Sequence, residues 1–99
     1  MIVTDTDKLL TKNERNVLEY SLFNATVTPL KETGLKGDKQ IELYTDRATH
    51  VGQIARYSNG DVALHNYIID RTGIYDSLEK PLAVVEKFYK EAKRLGRDI

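Results

Sequence analysis

The chain has 99 residues, 40% hydrophobic and 30% charged, which indicates a folded protein and leaves room for one domain, residues 1–99, but not for two. It contains no cysteine, which excludes disulfide bonds, thiolate catalysis and cysteine-ligated zinc. The formal net charge is zero, although residues 77–99 hold six Lys/Arg against four Asp/Glu, so only the C-terminal part is basic.

The first predicted element is a helix that begins at Lys12. Thr11 can cap it, because Glu14 follows three residues later at the spacing of a capping box. Apolar side chains then recur at helical spacing. The helix is expected to end at Asn24 or in the β-branched run that precedes Pro29, because proline cannot continue a helix.

The neighbouring segments are less regular. Residues 1–10 are either a short strand or a flexible lead-in, and residues 31–39, which contain two glycines, are expected to form an exposed loop. Residues 40–45 alternate polar and apolar side chains, the pattern of a half-buried strand. A turn is expected over residues 46–49.

A β-hairpin is the clearest local signal. Two strand-like runs, residues 51–57 and 62–69, flank Asn59-Gly60, a pair that favours a two-residue type I′ turn. That register places six apolar side chains on one face, namely Val51, Ala55, Tyr57, Val62, Leu64 and Ile68. It places five others on the opposite face, namely His50, Ile54, Arg56, His65 and Tyr67. A three-residue bulged turn would mix the two sets, so the two-residue turn is preferred.

The last predicted element is a helix over residues 78–95, after a connection over residues 70–76. Apolar side chains follow one arc of this helix, and Gly96 is placed to end it. Most of the other arc is basic, with the cations Lys80, Lys87, Lys90, Lys93, Arg94 and Arg97. Such an arc is either an ordinary solvated helix face or a surface that follows phosphates.

The predicted fold class is α+β, a two-layer domain of the order α-(β)-β-β-β-α. Its antiparallel sheet has three to four strands and carries both helices on one face. The other face is left open to water or to a partner.

The two histidines are the first candidates for chemistry. In the type I′ register His50 and His65 share a face but lie four residue pairs apart, roughly 13 Å at 3.3 Å per residue. One zinc ion cannot bridge that distance, because its ligand bonds are about 2 Å long. We therefore expect no metal, no cofactor and no catalytic residue. The enzymatic alternative is a histidine acting with Asp46, Asp61 or Asp70 in a pocket formed by a dimer.

The sequence favours a small non-enzymatic binding protein that regulates or inhibits a partner, as accessory or phage-type proteins do. A protein partner is expected on the open sheet face, at Tyr44, His50, Arg56, His65 and Tyr67. One alternative is a transcriptional regulator that binds nucleic acid through Lys80, Lys87, Lys90, Arg94 and Arg97. A homodimer is a further alternative.

No membrane partner is expected. The N-terminus lacks a basic region followed by an apolar stretch, and the longest apolar runs have two to four residues, against the roughly 20 that a membrane span needs. These features favour a cytoplasmic location.

Overall fold

The computed structural model describes residues 2–30, 39–57 and 59–99. The predicted loop over residues 31–39 lies outside these ranges except for Lys39, which belongs to a strand. The elements in chain order are β1 (Val3–Thr4), α1 (Lys12–Glu19), β2 (Asn24–Pro29), β3 (Lys39–Tyr44), β4 (His50–Arg56), β5 (Val62–Asn66), β6 (Arg71–Tyr75) and α2 (Glu79–Arg94).

The strands of the described residues form one sheet in the order β1-β2-β3-β4-β5-β6. Strands β1 and β2 are parallel, and every other neighbouring pair is antiparallel. The α+β class is therefore confirmed. The expectation of three to four strands is wrong, because the sheet has six.

The two strands that the sequence analysis did not predict are β2 and β6. The β-branched run before Pro29 was interpreted as the end of α1, but it pairs with β3 and buries Ala25 and Val27. Strand β6 was interpreted as a connection because it contains Gly73. Its backbone nevertheless pairs with β5 over five residues.

Helix α1 begins as the capping-box pattern predicts. The Glu14 N–H donates to Thr11 Oγ1 (3.1 Å), and the Thr11 N–H donates to Glu14 Oε1 (2.9 Å). The helix ends at Glu19, five residues before Asn24. Its end is earlier than predicted, because residues 24–29 pair with β3 as a strand and bury Ala25 and Val27 in the core.

The hairpin between β4 and β5 has a longer turn than predicted. The Tyr57 N–H donates to Asp61 O (3.0 Å) and the Gly60 N–H donates to Tyr57 O (3.1 Å), so three residues lie between Tyr57 and Asp61. Gly60 has a φ of 101°, in the left-handed region where glycine is favoured. This is the three-residue arrangement with glycine last, and the prediction of a two-residue turn is wrong.

One extra residue in the turn shifts the register and exchanges the faces of β4. Ile54, predicted to face outward, is completely buried, whereas Ala55 and Tyr57 lie on the opposite side and are half-buried. Arg56 turns toward the helices with Ile54. The predicted faces of β5 are correct, with Val62 and Leu64 facing inward and His65 facing outward.

A bulge restores the predicted orientation at the start of β4. Leu43 pairs with Gly52, but the next residue of β3, Tyr44, pairs with His50, so Val51 is an extra residue. Because of this bulge Val51 is buried and His50 faces outward.

Both helices pack on one face of the sheet, which we call the inner face; the opposite side is the outer face. Four buried helix residues join the inward side chains of the strands in one hydrophobic cluster, namely Leu18 of α1 and Leu82, Val85 and Tyr89 of α2. Helix α2 ends at the predicted glycine, since Gly96 has a φ of 85°. Neither of the described helices is long and apolar enough to cross a membrane.

Candidate interaction surface on the outer face

A row of four aromatic rings crosses the outer face. Tyr44 stacks on His50 with ring centroids 4.8 Å apart and an interplanar angle of 24°. His50 in turn lies 4.6 Å from Tyr67, and Tyr67 lies 4.5 Å from His65. We call Tyr44, His50, Tyr67 and His65 the ring row. Its members come from β3, β4, β5 and the loop after β5, which the outward register brings side by side.

Glu42 supports the middle of the ring row. Its Oε1 accepts hydrogen bonds from Gln53 Nε2 (3.0 Å) and from Gln40 Nε2, while its Oε2 is in ion-pairing contact with His50 Nε2. Both atoms of this last contact are shielded from water, and neither has another polar partner among the described residues. The Tyr67 hydroxyl donates to Gln53 Oε1 (3.4 Å). The rings are thus held in place before any partner arrives.

His65 ends the row and contacts two further polar side chains. Its Nδ1 lies 2.9 Å from Thr72 Oγ1, and its Nε2 lies 3.1 Å from Asp70 Oδ1. The order carboxylate, imidazole and hydroxyl is the order found in serine-type hydrolases. The Asp70 side chain is 90% exposed, however, so water competes for it and its hold on the imidazole is weak.

A shallow cavity of about 190 Å³ lies beside the ring row. Its floor is formed by Ala55 and Ala63, which face each other across β4 and β5. Their small side chains leave a depression between taller neighbours. The walls are formed by Leu30, Gln40, Gln53, Tyr57, His65 and Thr72. The cavity has the size of one large side chain, and the described residues of its lining include no Lys, Arg, Asp or Glu.

Arg56, the fifth residue predicted on this surface, is on the inner face instead. Its Nε lies 3.3 Å from Glu14 Oε2, and Lys39 Nζ lies 2.8 Å from Glu14 Oε1. The cause is the shifted register of β4, so the prediction of an outward Arg56 is wrong. In the described residues, the strands therefore place no Lys or Arg on the outer face.

The environment of Glu14 changes its acidity. Burial, the largest single influence, disfavours the charged form, but hydrogen bonds from Lys39 and from the Thr11 backbone, together with the charge of Lys39, outweigh it. These contacts hold the pKa of Glu14 below its ordinary value of 4.5.

The cations predicted to bind nucleic acid lie on or just after α2, all exposed, but three of them have partners. Lys80 pairs with Asp76 at 2.7 Å, Arg94 pairs with Glu91 at 2.9 Å, and Arg97 donates to the Ile68 carbonyl at 3.5 Å. The other two, Lys87 and Lys90, make no ion pair within the described part of the chain. The helix face is therefore not an uninterrupted stripe of free cations.

The histidines are closer than predicted, because both rings contact the Tyr67 ring, whereas the type I′ register put the histidines roughly 13 Å apart. Even so, no group of three side chains suited to hold a metal ion occurs within residues 2–30, 39–57 and 59–99.

Sequence reasoning did not predict the roles of Glu42, Gln40 and Gln53. The alternation over residues 40–45 contained a usable signal, because it places Glu42 and Gln40 on the same side as Tyr44. The contribution of Gln53 and the Ala55–Ala63 floor depended on the register of β4, which was wrong by one residue.

No protein-family model matches the chain, and neither the curated proteins nor the solved structures yield a significant match. We therefore infer function from the geometry of the outer face.

Proposed function

We propose that this chain is a non-enzymatic binding protein that docks a partner protein on its outer face. The observation that carries the proposal is the ring row, which stands on a sheet face that no described helix covers. Tyrosine and other aromatic side chains are enriched among the residues that dominate binding energy. The polar network beneath the rings lowers the entropy that would be lost on binding, because the rings are ordered beforehand.

The charge of the outer face supports a protein partner over nucleic acid. Binding to nucleic acid draws most of its affinity from cations that neutralise phosphates. The described outer face offers none, whereas the acidic side chains Glu42 and Asp70 lie against its two histidines. A phosphate backbone would be repelled there.

The cavity at Ala55 and Ala63 indicates what the partner presents. A neutral pocket of about 190 Å³ accepts one large apolar or amide-bearing side chain, with the glutamines and Thr72 able to bond its polar atoms. We infer that this side chain is the anchor and that the ring row contacts its neighbours. The proposed consequence is regulation or inhibition of the partner by covering its surface, the accessory role of small phage-type proteins.

Affinity capture from the native host tests this proposal with matched variants. Tagged wild-type chain is compared with Tyr67→Ala and with Lys87→Ala, an exposed residue of α2. We expect one protein to be retained in stoichiometric amount by wild type and by Lys87→Ala. Loss of an aromatic hot spot costs about 2 kcal/mol, or roughly 30-fold in affinity, so Tyr67→Ala should retain little of it. Equal capture by Tyr67→Ala, with its fold intact by circular dichroism, would overturn the proposal.

The contacts of His65 favour one competing function, hydrolysis with Thr72 as nucleophile and Asp70 as the orienting carboxylate. Assays with activated carboxylic and phosphoric esters separate it from binding. We expect no turnover above the uncatalysed rate. Turnover that disappears in both Thr72→Val and His65→Gln would establish hydrolysis and displace the binding proposal.

A further inference from the structure

Strand β6 is an open edge of the sheet, because no described strand lies beyond it. The opposite edge strand, β1, has two residues and offers little to pair with, whereas β6 has five. Natural edge strands are commonly protected by lysine, proline or a bulge, and Arg71–Tyr75 contains neither residue and no break in register. The side chain of Ile74 is 66% exposed.

The hydrogen bonds of β5 show which backbone groups of β6 are free. The Tyr67 N–H donates to Val51 O (3.1 Å). Tyr67 and the alternate residues before it, His65 and Ala63, therefore direct their backbone N–H and C=O groups toward β4. Along an antiparallel strand, successive residues direct their hydrogen-bonding groups to opposite neighbours. The other residues of β5, namely Val62, Leu64 and Asn66, therefore bond to the fifth, third and first residues of β6. The second and fourth, Thr72 and Ile74, direct their N–H and C=O groups away from β5, toward the open edge.

We propose that β6 pairs with β6 of a second copy of this chain, antiparallel about a two-fold axis at Gly73. This is the one symmetric register that pairs all five residues. Thr72 of each copy then faces Ile74 of the other, and these two pairs exchange the free N–H and C=O groups. The two sheets become one continuous sheet. The inference does not depend on the proposed function of the outer face.

The side chains of β6 suit this register. Arg71 faces Tyr75 of the second copy, and Arg71 is exposed and makes no ion pair with a described residue. A guanidinium over a tyrosine ring is a favourable contact, and the two-fold symmetry produces two such contacts in the dimer. Gly73 leaves space for the Tyr75 side chain of its own chain, because a Cβ there would lie 2.9 Å from Tyr75 Oη and that ring would have to shift.

The ends of the paired strands carry partly compensated charge. Asp70 faces Asp76 of the second copy, an arrangement that would be repulsive between free carboxylates. The ion pair of Asp76 with Lys80 at 2.7 Å offsets part of this repulsion, whereas the exposed Asp70 has only its weak contact with His65. Pairing five residues on one edge buries less than roughly 1,200 Å², so the dimer is expected to be weak, with a micromolar to millimolar dissociation constant.

Disulfide trapping tests the register, since the chain has no cysteine of its own. The variants Arg71→Cys and Tyr75→Cys are mixed in a glutathione redox buffer. The register predicts a covalent dimer with one chain of each kind, because directly opposed residues lie within disulfide reach. Each variant alone should stay largely uncrosslinked, because its cysteines are far from the axis. Homodimers of either variant in equal yield would contradict the register.

Sedimentation equilibrium of the unmodified chain tests the association itself. We expect the weight-average mass to rise from 11.3 kDa toward twice that value between micromolar and millimolar concentrations. Ile74→Lys should raise the dissociation constant at least about tenfold, because it places two lysines beside the axis. Ile2→Lys is the matched control, since Ile2 is 72% exposed beside the opposite edge. A chain that stays monomeric at millimolar concentration would overturn the proposal and leave the edge to another protein's strand.

Discussion

At the scale of single residues, Glu14 joins three parts of the fold. Its side chain closes the capping box of α1 and pairs with Lys39 of β3 and Arg56 of β4. The Lys39 side chain is only 8% exposed, and its ammonium also donates to the Leu9 carbonyl at 2.6 Å. A buried cation that loses its carboxylate partner stays desolvated without a counter-ion. We therefore expect removal of the Glu14 charge to destabilise the folded state substantially.

We expect Glu14→Gln to lower the free energy of unfolding by about 2 kcal/mol at neutral pH, because Lys39 is left without a counter-ion. Urea unfolding followed by circular dichroism measures the change. Glu19→Gln, on the exposed part of the same helix, is the control and should cost less than about 0.5 kcal/mol. An equal decrease in the free energy of unfolding for both variants would show that the buried Glu14–Lys39 pair stabilises the fold no more than the exposed Glu19 does.

The same residue predicts a pH dependence. The pKa of Glu14 is lower in the folded chain than its ordinary value of 4.5, so the unfolded chain binds the proton more readily. The stability that ionised Glu14 contributes is therefore fully present above its ordinary pKa and is lost as the pH falls through the folded value. We expect the stability gap between wild type and Glu14→Gln to narrow steadily from neutral pH to about pH 3. A gap that stays constant would contradict the lowered pKa.

At the scale of elements, the turn between β4 and β5 decides which side chains form the core. The two-residue turn predicted from Asn59-Gly60 and the observed three-residue turn differ by one residue. Because side chains alternate along a strand, residues 52–56 of β4 change face, while the bulge keeps His50 and Val51 on their predicted faces. Ile54 and Arg56 enter the inner layer, and Ala55 becomes part of the cavity floor.

Two substitutions distinguish the observed register of β4 from the predicted one, because the two registers differ in which substitution destabilises the fold more. We expect Ile54→Ala to lower the free energy of unfolding by roughly 3 kcal/mol, because it empties a completely buried site. Tyr57→Ala, on the outer face, should cost about 1 kcal/mol. Chemical denaturation measures both values. The two-residue turn would reverse the order, since it buries Tyr57 and exposes Ile54.

At the scale of the whole molecule, the fold separates charge by face. The described cations lie on the helices, in the loops or on the inner side of the sheet, while the outer face holds rings, amides and carboxylates. Most of the cations on and just after α2 are already engaged. On this helix Lys87 and Lys90 make no ion pair with a described residue, and they set the scale of attraction to phosphates through α2.

We therefore expect only weak, sequence-independent association with duplex DNA, with a dissociation constant above about 10⁻⁴ M at physiological salt. For contact through α2, log affinity should fall with log salt with a slope of magnitude close to two, roughly one for each free lysine of that helix. Fluorescence anisotropy over a salt series measures it. A slope of five or more would mean that the ion-paired cations are released to phosphates, and would favour the regulator that binds through α2.

The sequence by itself determined the features that depend on near neighbours. The capping box at Thr11, the glycine end of α2, the alternation over residues 40–45 and the α+β class all follow from local geometry and hydrophobic periodicity. The outward placement of His65 and Tyr67 was also predicted, because alternate side chains of a strand point to opposite faces and the bulky apolar residues Val62 and Leu64 face the core.

The tertiary structure decided what depends on pairing between distant segments. Residues 24–29 and 71–75 became strands because β3 and β5 offered them backbone partners, which no local pattern states. The register of β4 was set by burial of Ile54 against the helices and by the bulge at Val51. Only that register moved Arg56 away from the candidate surface and brought both histidines onto Tyr67.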